Sequence, residues 1–301
     1  MTEEIFRYFP SSLRKELEAE TSFPMAEELR LRAGKRAMFY AEGEEHILRM
    51  RPDKQEIADI LLALSQHSLH SFSDELRQGF FTMEGGIRIG VAGKAVSERG
   101  SIRLIRSFSS MNIRFPREKV GVQKNLAPHI RHEGNILNTL IISAPQHGKT
   151  TLLRDIVRAV SDGEDGYRAK KCTVVDERSE IAGNGAFSLG ERTDVLTSCP
   201  KSEGLVMALR SLSPEVLATD EIGNSQDLLA IQEAVNSGAV VLATAHGACL
   251  EELERRLFFR ELLATGIMER IVFLSARLGR GTVEKIYDGE KNVLWDEPFL
   301  L

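Results

Sequence analysis

The feature that most constrains this chain is the run Ser143-Ala144-Pro145-Gln146-His147-Gly148-Lys149-Thr150-Thr151. It stands between the apolar Leu140-Ile141-Ile142 and the helix-like Leu152-Leu153-Arg154-Asp155-Ile156-Val157. A strand, a tight loop ending in Gly-Lys-Thr and a helix start make a polyphosphate cradle. Loop N–H groups and the first helical turn face the anion, and the lysine adds a mobile positive charge. On this reading Ser143, Ala144, Pro145, Gln146, His147, Gly148, Lys149, Thr150 and Thr151 form the cradle, with the Thr150 hydroxyl available to a magnesium ion. Two positions depart from the usual pattern: Ser143 replaces its first glycine, and Gln146 replaces a glycine often found two positions before Gly148.

A chain of 301 residues with 42% hydrophobic content has room for two domains, each with its own core. We expect an N-terminal α/β domain at residues 1–120 and the phosphate-loop domain at residues 121–301. The formal net charge of −5 counts against nonspecific binding to nucleic acid by bulk electrostatics. The three cysteines, Cys172, Cys199 and Cys249, are scattered singly and read as reduced thiols of a cytosolic protein. The acidic start Met1-Thr2-Glu3-Glu4 lacks the layout of a signal peptide, and no apolar run approaches the ~20 residues that span a bilayer. Any membrane role is therefore expected through a partner.

In the first third, a helix is expected after Pro10-Ser11-Ser12 carrying Leu13 and Leu17, and a half-buried strand at residues 28–32. Residues 37–40 and 46–50 read as a hairpin across Glu42-Gly43-Glu44, and a helix capped by Asp53 carries Ile57, Ile60, Leu61 and Leu64. Alternation at Ile87, Ile89 and Val91, a turn at Arg99-Gly100, and alternation again over residues 102–106 complete one antiparallel sheet. Pro116 and Gly121 mark a linker before a helix expected over residues 122–130. Beyond residue 134, short β-branched runs at residues 140–143, 173–176, 216–220 and 240–245 alternate with helical segments, which predicts a mostly parallel sheet with helices on both faces. Residues 183–200, rich in Gly, Ser and Asn, are expected to form a long loop near the site.

The strand ends carry the chemistry. Val216-Leu217-Ala218-Thr219-Asp220-Glu221 ends in two acids, with Asp220 placed to hold the metal through water and Glu221 to polarise an attacking water. Asp176-Glu177-Arg178-Ser179-Glu180 puts three carboxylates after a second strand, where they repel a polyphosphate unless metal, arginine or a water proton intervenes. A solvated loop pairing with Arg178 explains them equally well. Thr244 and His246 end a third strand, where either can sense a γ-phosphate. His67, His70, His129 and His132 have metal-like spacing but no accompanying acids or cysteines, and read as surface or helix residues. Arg106, Arg114, Arg192 and Arg210 are the candidates for stabilising charge on the transferred phosphoryl group.

This ordered set, Ser143 to Thr151, Asp176 to Glu180, Leu217 to Gly223 and Thr244 to Gly247, resembles the secretion-ATPase branch of the RecA-like phosphate-loop proteins. More closely, the chain is similar to the stage III sporulation protein AA family. The likeness runs through Glu28-Leu29-Arg30-Leu31-Arg32, Gly79-Phe80-Phe81-Thr82, Gly90-Val91-Ala92-Gly93-Lys94, Asn112-Ile113-Arg114, Arg192-Thr193-Asp194, Cys199-Pro200-Lys201, Arg210-Ser211-Leu212-Ser213-Pro214 and Asp220-Glu221-Ile222-Gly223. The resemblance implies an α/β, RecA-like core with a mostly parallel sheet and a smaller N-terminal domain with an antiparallel sheet. It also implies an ATPase using ATP and Mg2+, a homo-oligomer such as a hexamer, and placement in the mother cell under membrane proteins of a sporulation channel. Glu180 matches the acidic-box glutamate thought to act on water, and Glu221 the acid of the magnesium strand. Arg106 and Arg114 would reach the nucleotide from the small domain, and Arg192 and Arg210 from a neighbouring subunit. Gln146 and His147 depart from the family's loop, and a backbone conformation that the family's glycine serves would cost glutamine about 1 kcal/mol. Two other readings stay open: a nucleotide-gated scaffold with little turnover, and a nucleic-acid motor, which the acidic balance disfavours.

Overall fold

The computed structural model of the chain describes residues 4–66, 68, 72–77, 79–83, 85–98 and 101–301. The expected turn at Arg99-Gly100, the residues Met1-Thr2-Glu3 and the histidines His67 and His70 lie outside them. The chain divides into one unit of Met1–Glu118 with Gly183–Ala186, and a second of Lys119–Ala182 with Phe187–Leu301.

In the first unit, α1 (Ser11–Ala19) buries Leu13 and Leu17. The strands β1 (Ala26–Arg32), β2 (Met38–Ala41), β3 (Glu44–Ile47), β4 (Phe80–Thr82), β5 (Arg88–Glu98) and β6 (Ser101–Arg114) form an antiparallel sheet in the order β3-β2-β1-β6-β5-β4. Two helices, α2 (Lys54–Leu64) and α3 (Ser73–Arg77), complete the unit. Ala41 pairs with Glu44, so the β2–β3 hairpin has a two-residue loop. Its residues Glu42 and Gly43 both take positive φ, 54° and 85°, as a tight hairpin turn matched to strand twist requires. Asp53 caps α2 reciprocally: the Glu56 N–H donates to its Oδ1 at 2.8 Å, and its own N–H donates to Glu56 Oε2 at 2.9 Å. Phe23 packs edge-on against Phe39 and Phe115 at the centre of this unit's core.

The second unit opens with a short ladder, β7 (Arg131–His132) and β8 (Asn135–Ile136). Its main elements are β9 (Thr139–Ser143), α4 (Lys149–Asp162), β10 (Cys172–Asp176), β11 (Thr193–Thr197), α5 (Lys201–Leu212), β12 (Val216–Thr219), α6 (Ser225–Asn236) and β13 (Val240–His246). They are followed by α7 (Leu250–Arg255), α8 (Leu257–Ala264), β14 (Arg270–Ser275), β15 (Thr282–Asp288), β16 (Val293–Trp295) and β17 (Phe299–Leu300). The sheet runs β11-β10-β12-β13-β9-β14-β15-β16, with β17 also on β15. It is parallel from β11 to β14, and β15 to β17 are antiparallel additions. Alternate residues of each parallel strand enter different cores. Ile141, Val174, Ala218, Leu242 and Val272 pack with α4, whereas Leu140, Ile142, Val175, Leu217, Val241 and Ala243 pack with residues of α5, α6 and α8. Burial on both faces is why these strands read as continuous apolar runs. The second unit has the α/β architecture with a mostly parallel sheet that the sequence leads one to expect, and the first has a separate antiparallel sheet.

Three expectations need correction. Residues 122–130 form turns and a 3-10 helix at Ala127–His129 in place of a longer helix. Pro128 supplies no N–H, and the Gln123 N–H donates to Asp155 on α4, so the segment is tied down residue by residue. The loop expected over residues 183–200 contains β11, whose solvent-facing edge position (Asp194 and Val195 exposed) leaves it no apolar pattern. The hairpin strand expected at residues 46–50 lies at Glu44–Ile47, its register set by the tight turn. The four strands after residue 264 were not foreseen.

Helix α5 lies tight on β10. A Cβ placed on Gly204 would stand 2.6 Å from Val175 Cγ1 and 2.8 Å from Cys199 Sγ. In an exposed helix, Gly→Ala stabilises by about 1 kcal/mol. Here overpacking at ~1–3 kcal/mol outweighs it. Gly204→Ala is expected to lower the urea midpoint of the second unit; a raised midpoint would refute this packing.

Candidate functional site

The parallel register sets strand ends side by side: Ser143 pairs with His246, and Thr219 lies between Val175 and Ala243. The loop between β9 and α4 therefore emerges at the carboxyl edge among the ends of β13, β12 and β10. Within the loop, Gln146 has φ 64° and Gly148 φ 96°. Both are left-handed, so the glutamine accepts a strain of about 1 kcal/mol that a glycine would not. The Ser143 hydroxyl donates to the Ala144 carbonyl at 2.7 Å, closing the base of the loop.

Lys149 is only 5% exposed. Its ammonium donates to the carbonyls of Ser143 (3.1 Å) and Ala144 (3.2 Å), to Ser143 Oγ (3.3 Å) and to His246 Nδ1 (3.1 Å). Because Nδ1 accepts, the ring proton sits on Nε2, which donates to Glu221 Oε1 at 2.8 Å. Arg178 donates to the other oxygen of Glu221 at 2.8 Å. Four side chains from four segments are thus joined, with a neutral imidazole and a carboxylate between two cations. Burial pushes the Lys149 ammonium below its ordinary pKa, partly opposed by Glu221 and Glu180. Burial raises Glu221, but the His246 bond and the charges of Arg178 and Lys149 outweigh it and hold the carboxyl below its usual range.

Glu221 has φ 45° and is held there from several directions. Its N–H donates to Thr244 Oγ1 at 2.9 Å, its carbonyl accepts from Lys201 Nζ at 2.9 Å, and the next N–H, of Ile222, donates to the Thr244 carbonyl at 2.9 Å. Such over-determination maintains a strained backbone. The turn after β10 is organised around Asp176, which is fully buried. Its carboxylate accepts the N–H groups of Glu180 (2.8 Å), Ile181 (3.0 Å) and Ala182 (2.8 Å). From α4, the Arg154 guanidinium grips the same turn through the carbonyls of Ile181 (2.6 Å) and Glu180 (2.9 Å). The exposed Glu180 side chain is thereby delivered to the loop.

These groups surround a cavity of about 590 Å³. Pro145, Gln146, Gly148, Thr150 and Thr151 line it from the loop and helix start; Glu180, Glu221 and His246 line it from the neighbouring strand ends. Lys119, Val122, Arg280, Gly281 and Leu301 complete the lining. Asp220 faces elsewhere. It lines a second cavity of about 410 Å³ with Glu177, Arg178, Lys201 and Glu221, and its buried Oδ2 has no hydrogen-bond partner. Burial pushes its pKa up to about 6, against the opposing charge of Lys201.

Of the arginines singled out from sequence, Arg192 donates to the Ser161 carbonyl at 2.9 Å beside the start of β11, at the sheet edge opposite the loop. Arg210 is exposed on α5, 3.9 Å from Glu233. In the first unit, Arg114 lies 3.4 Å from Glu28 and Arg106 is exposed. His129 stacks on Phe299 and meets the Trp295 ring at a tilt, and His132 is exposed. Sequence reasoning missed Arg154, Lys201 and Arg280. Lys201 lies in the quoted Cys199-Pro200-Lys201 stretch, one signal that was available.

Among the described residues, no three His, Cys, Asp or Glu side chains gather into a metal cage. Magnesium takes one or two protein oxygens and keeps several waters. Thr150 and Glu221, both lining the cavity next to Lys149, offer such hard oxygen ligands.

The model of the family described as sporulation stage III, protein AA matches residues 1–294. Stage III sporulation protein AA of Bacillus subtilis (strain 168) is 39% identical over 297 residues, covering 97% of this chain and 96% of that protein. Among solved structures, the Legionella pneumophila ATPase DotB is similar with a TM-score of 0.54 and 16% identity, covering 88% of this chain and 77% of that one. The pilus retraction motor PilT, solved with bound ADP, is similar with a TM-score of 0.57 and 15% identity, covering 85% and 77%. At these identities the two structures establish the shared fold.

The raised pKa of Asp220 has a definite sign in stability. The folded chain holds a proton that the unfolded chain releases at lower pH, so stability falls as pH rises through about 4 to 6, and the cost is fully present above that window. In EDTA, Asp220→Asn should melt at a higher temperature than wild type at pH 7.5, with the gap closing by pH 4. An Asn variant that melts lower at pH 7.5 would refute the buried, unsatisfied carboxylate.

Proposed function

This chain belongs to the sporulation stage III, protein AA family, and we propose that within it the protein is a magnesium-dependent ATPase acting as a homo-oligomer, a hexamer, beneath membrane proteins of a sporulation channel. The observation that carries this reading is the bonded series from Lys149 through His246 and Glu221 to Arg178, set at the end of a phosphate loop in a nucleotide-sized cavity. The fold shared with a protein described as an ATPase and with a motor solved with ADP supports it.

The reaction converts ATP and water to ADP and phosphate. Lys149 and the loop N–H groups balance charge on the transferred phosphoryl group. Glu221, already ionised at neutral pH, accepts a hydrogen bond from the attacking water; Glu180 is the second carboxylate within the cavity. Magnesium, when bound, would neutralise charge on the phosphate oxygens; Thr150 would hold it from within the cavity, and Asp220, which lines the neighbouring cavity, would reach it only through water. His246 couples the two ends, because moving Lys149 toward a phosphate changes the bond that His246 makes to Glu221. Arg192 and Arg210 are proposed to act on the site of a neighbouring copy.

Among the described residues, no helix is long and apolar enough to cross a membrane. Attachment in the mother cell through membrane partners, from the cytoplasmic side, is therefore part of the proposal. One observation favours a second reading, a nucleotide-gated scaffold: Gln146 holds the loop in a left-handed conformation at a cost.

The test is phosphate release by the purified chain with magnesium, with oligomer mass measured in the same samples. Glu221→Gln is expected to lower kcat by about 100-fold or more. Glu180→Gln is expected to lower it less, and Lys149→Ala to remove nucleotide binding. Wild type that releases no phosphate even with its membrane partners, while Lys149→Ala loses the oligomer, would replace the motor with the scaffold.

A further inference from the structure

We propose that the connection between β14 and β15 is the nucleoside end of the cavity, and that Arg280 holds the base of the bound nucleotide there. This rests on the nucleotide reading above and names the substrate class: a nucleoside polyphosphate, distinguished from an inorganic one.

The sheet order divides the cavity. Glu180, Glu221 and His246 come from the ends of β10, β12 and β13, all on one side of β9. Arg280 and Gly281 come from the other side, where β14 runs parallel to β9 and turns at the same carboxyl edge. The acids and Lys149 mark the phosphate side, so a nucleotide bound there extends its nucleoside toward β14 and β15.

The wall on that side is built, not slack. Gly279 and Gly281 have φ 139° and 90°, which bend the connection back toward the loop. A Cβ on Gly148 would lie 3.7 Å from Gly281. Thr282, fully buried, accepts from the Leu278 N–H at 3.0 Å and donates to the Gly279 carbonyl at 2.7 Å. The Leu301 N–H donates to the Gly281 carbonyl at 3.2 Å, and Asn125 donates to the Leu300 carbonyl at 3.2 Å, tying in the segment that carries Val122.

The lining chemistry also changes from one side to the other. On Arg280's side it consists of the aliphatic side chains of Val122 and Leu301, the cation of Lys119 and the backbone of Gly281, with no Asp or Glu side chain. Phosphates alone would leave the aliphatic groups uncovered, whereas a flat, neutral base covers them and presents a π face to the guanidinium. A volume of about 590 Å³ also suits a whole small molecule.

The test compares dissociation constants for ATP and for inorganic triphosphate, both with magnesium, by calorimetry on the full chain. Arg280→Ala should weaken ATP about three- to tenfold while leaving triphosphate within about twofold. Lys149→Ala should weaken both. Arg280 is exposed, and unchanged melting temperatures of Arg280→Ala and Arg280→Gln would establish that folding is intact. Equal losses for both ligands would make Arg280 a phosphate contact, and no loss for either would remove it from the site; each overturns the proposal. Wild type that binds neither ligand would instead overturn the nucleotide reading itself.

Discussion

The parallel pairing of β9 with β13 is the constraint on which the site depends. It sets Ser143 opposite His246, and from that single register the lysine that follows the loop comes within 3.1 Å of the histidine ring. A one-residue slip would turn every side chain of β13 to the other face and send the histidine away from the loop. Because both faces of these strands are buried in separate cores, the register is held by packing along their whole length.

Several carboxylates sit at neighbouring strand ends, and their different surroundings keep them from acting alike. Asp176 is saturated by three backbone N–H groups and shapes the chain. Glu221, between a histidine and an arginine, is held ionised at the mouth of the cavity. Asp220, its immediate neighbour, is buried with an unmet oxygen, and burial pushes its pKa up to about 6. Asp220 lines only the second cavity, whereas Glu221, turned by its left-handed backbone, lines both.

The parallel core was legible because each central strand is a β-branched or aliphatic run ending in a polar residue, and the loop sequence Gly148-Lys149-Thr150 fixes which edge matters. The edge strand β11 was not, since a half-solvated strand bearing Thr193, Asp194 and Thr197 has no apolar signature. Periodicity suggested a helix at residues 122–130 because Val122, Leu126 and Ile130 are spaced as on one; tertiary hydrogen bonds overrode the pattern. At the site, the acids, lysine and histidine were visible as motif members. The role of Arg178 as the partner of Glu221 was not, because a pairing across 43 residues is a property of the folded register. Arg280 was invisible for the same reason: its strand neighbours lie beyond the last motif.

Helix α4 buries Lys149 and every residue from Leu152 to Ser161, including Arg154, Asp155 and Arg158. Arg154 grips the turn that carries Glu180, and Asp155 grips the backbone at Gln123 while paired with Arg158 at 2.9 Å. The phosphate-loop helix is therefore a stiff axle clamped to two chain segments at successive residues. A push at its first turn is carried to both clamps together, since bending the helix between them would break buried charged hydrogen bonds. Mechanical stiffness in this protein is stored in the charges of one helix.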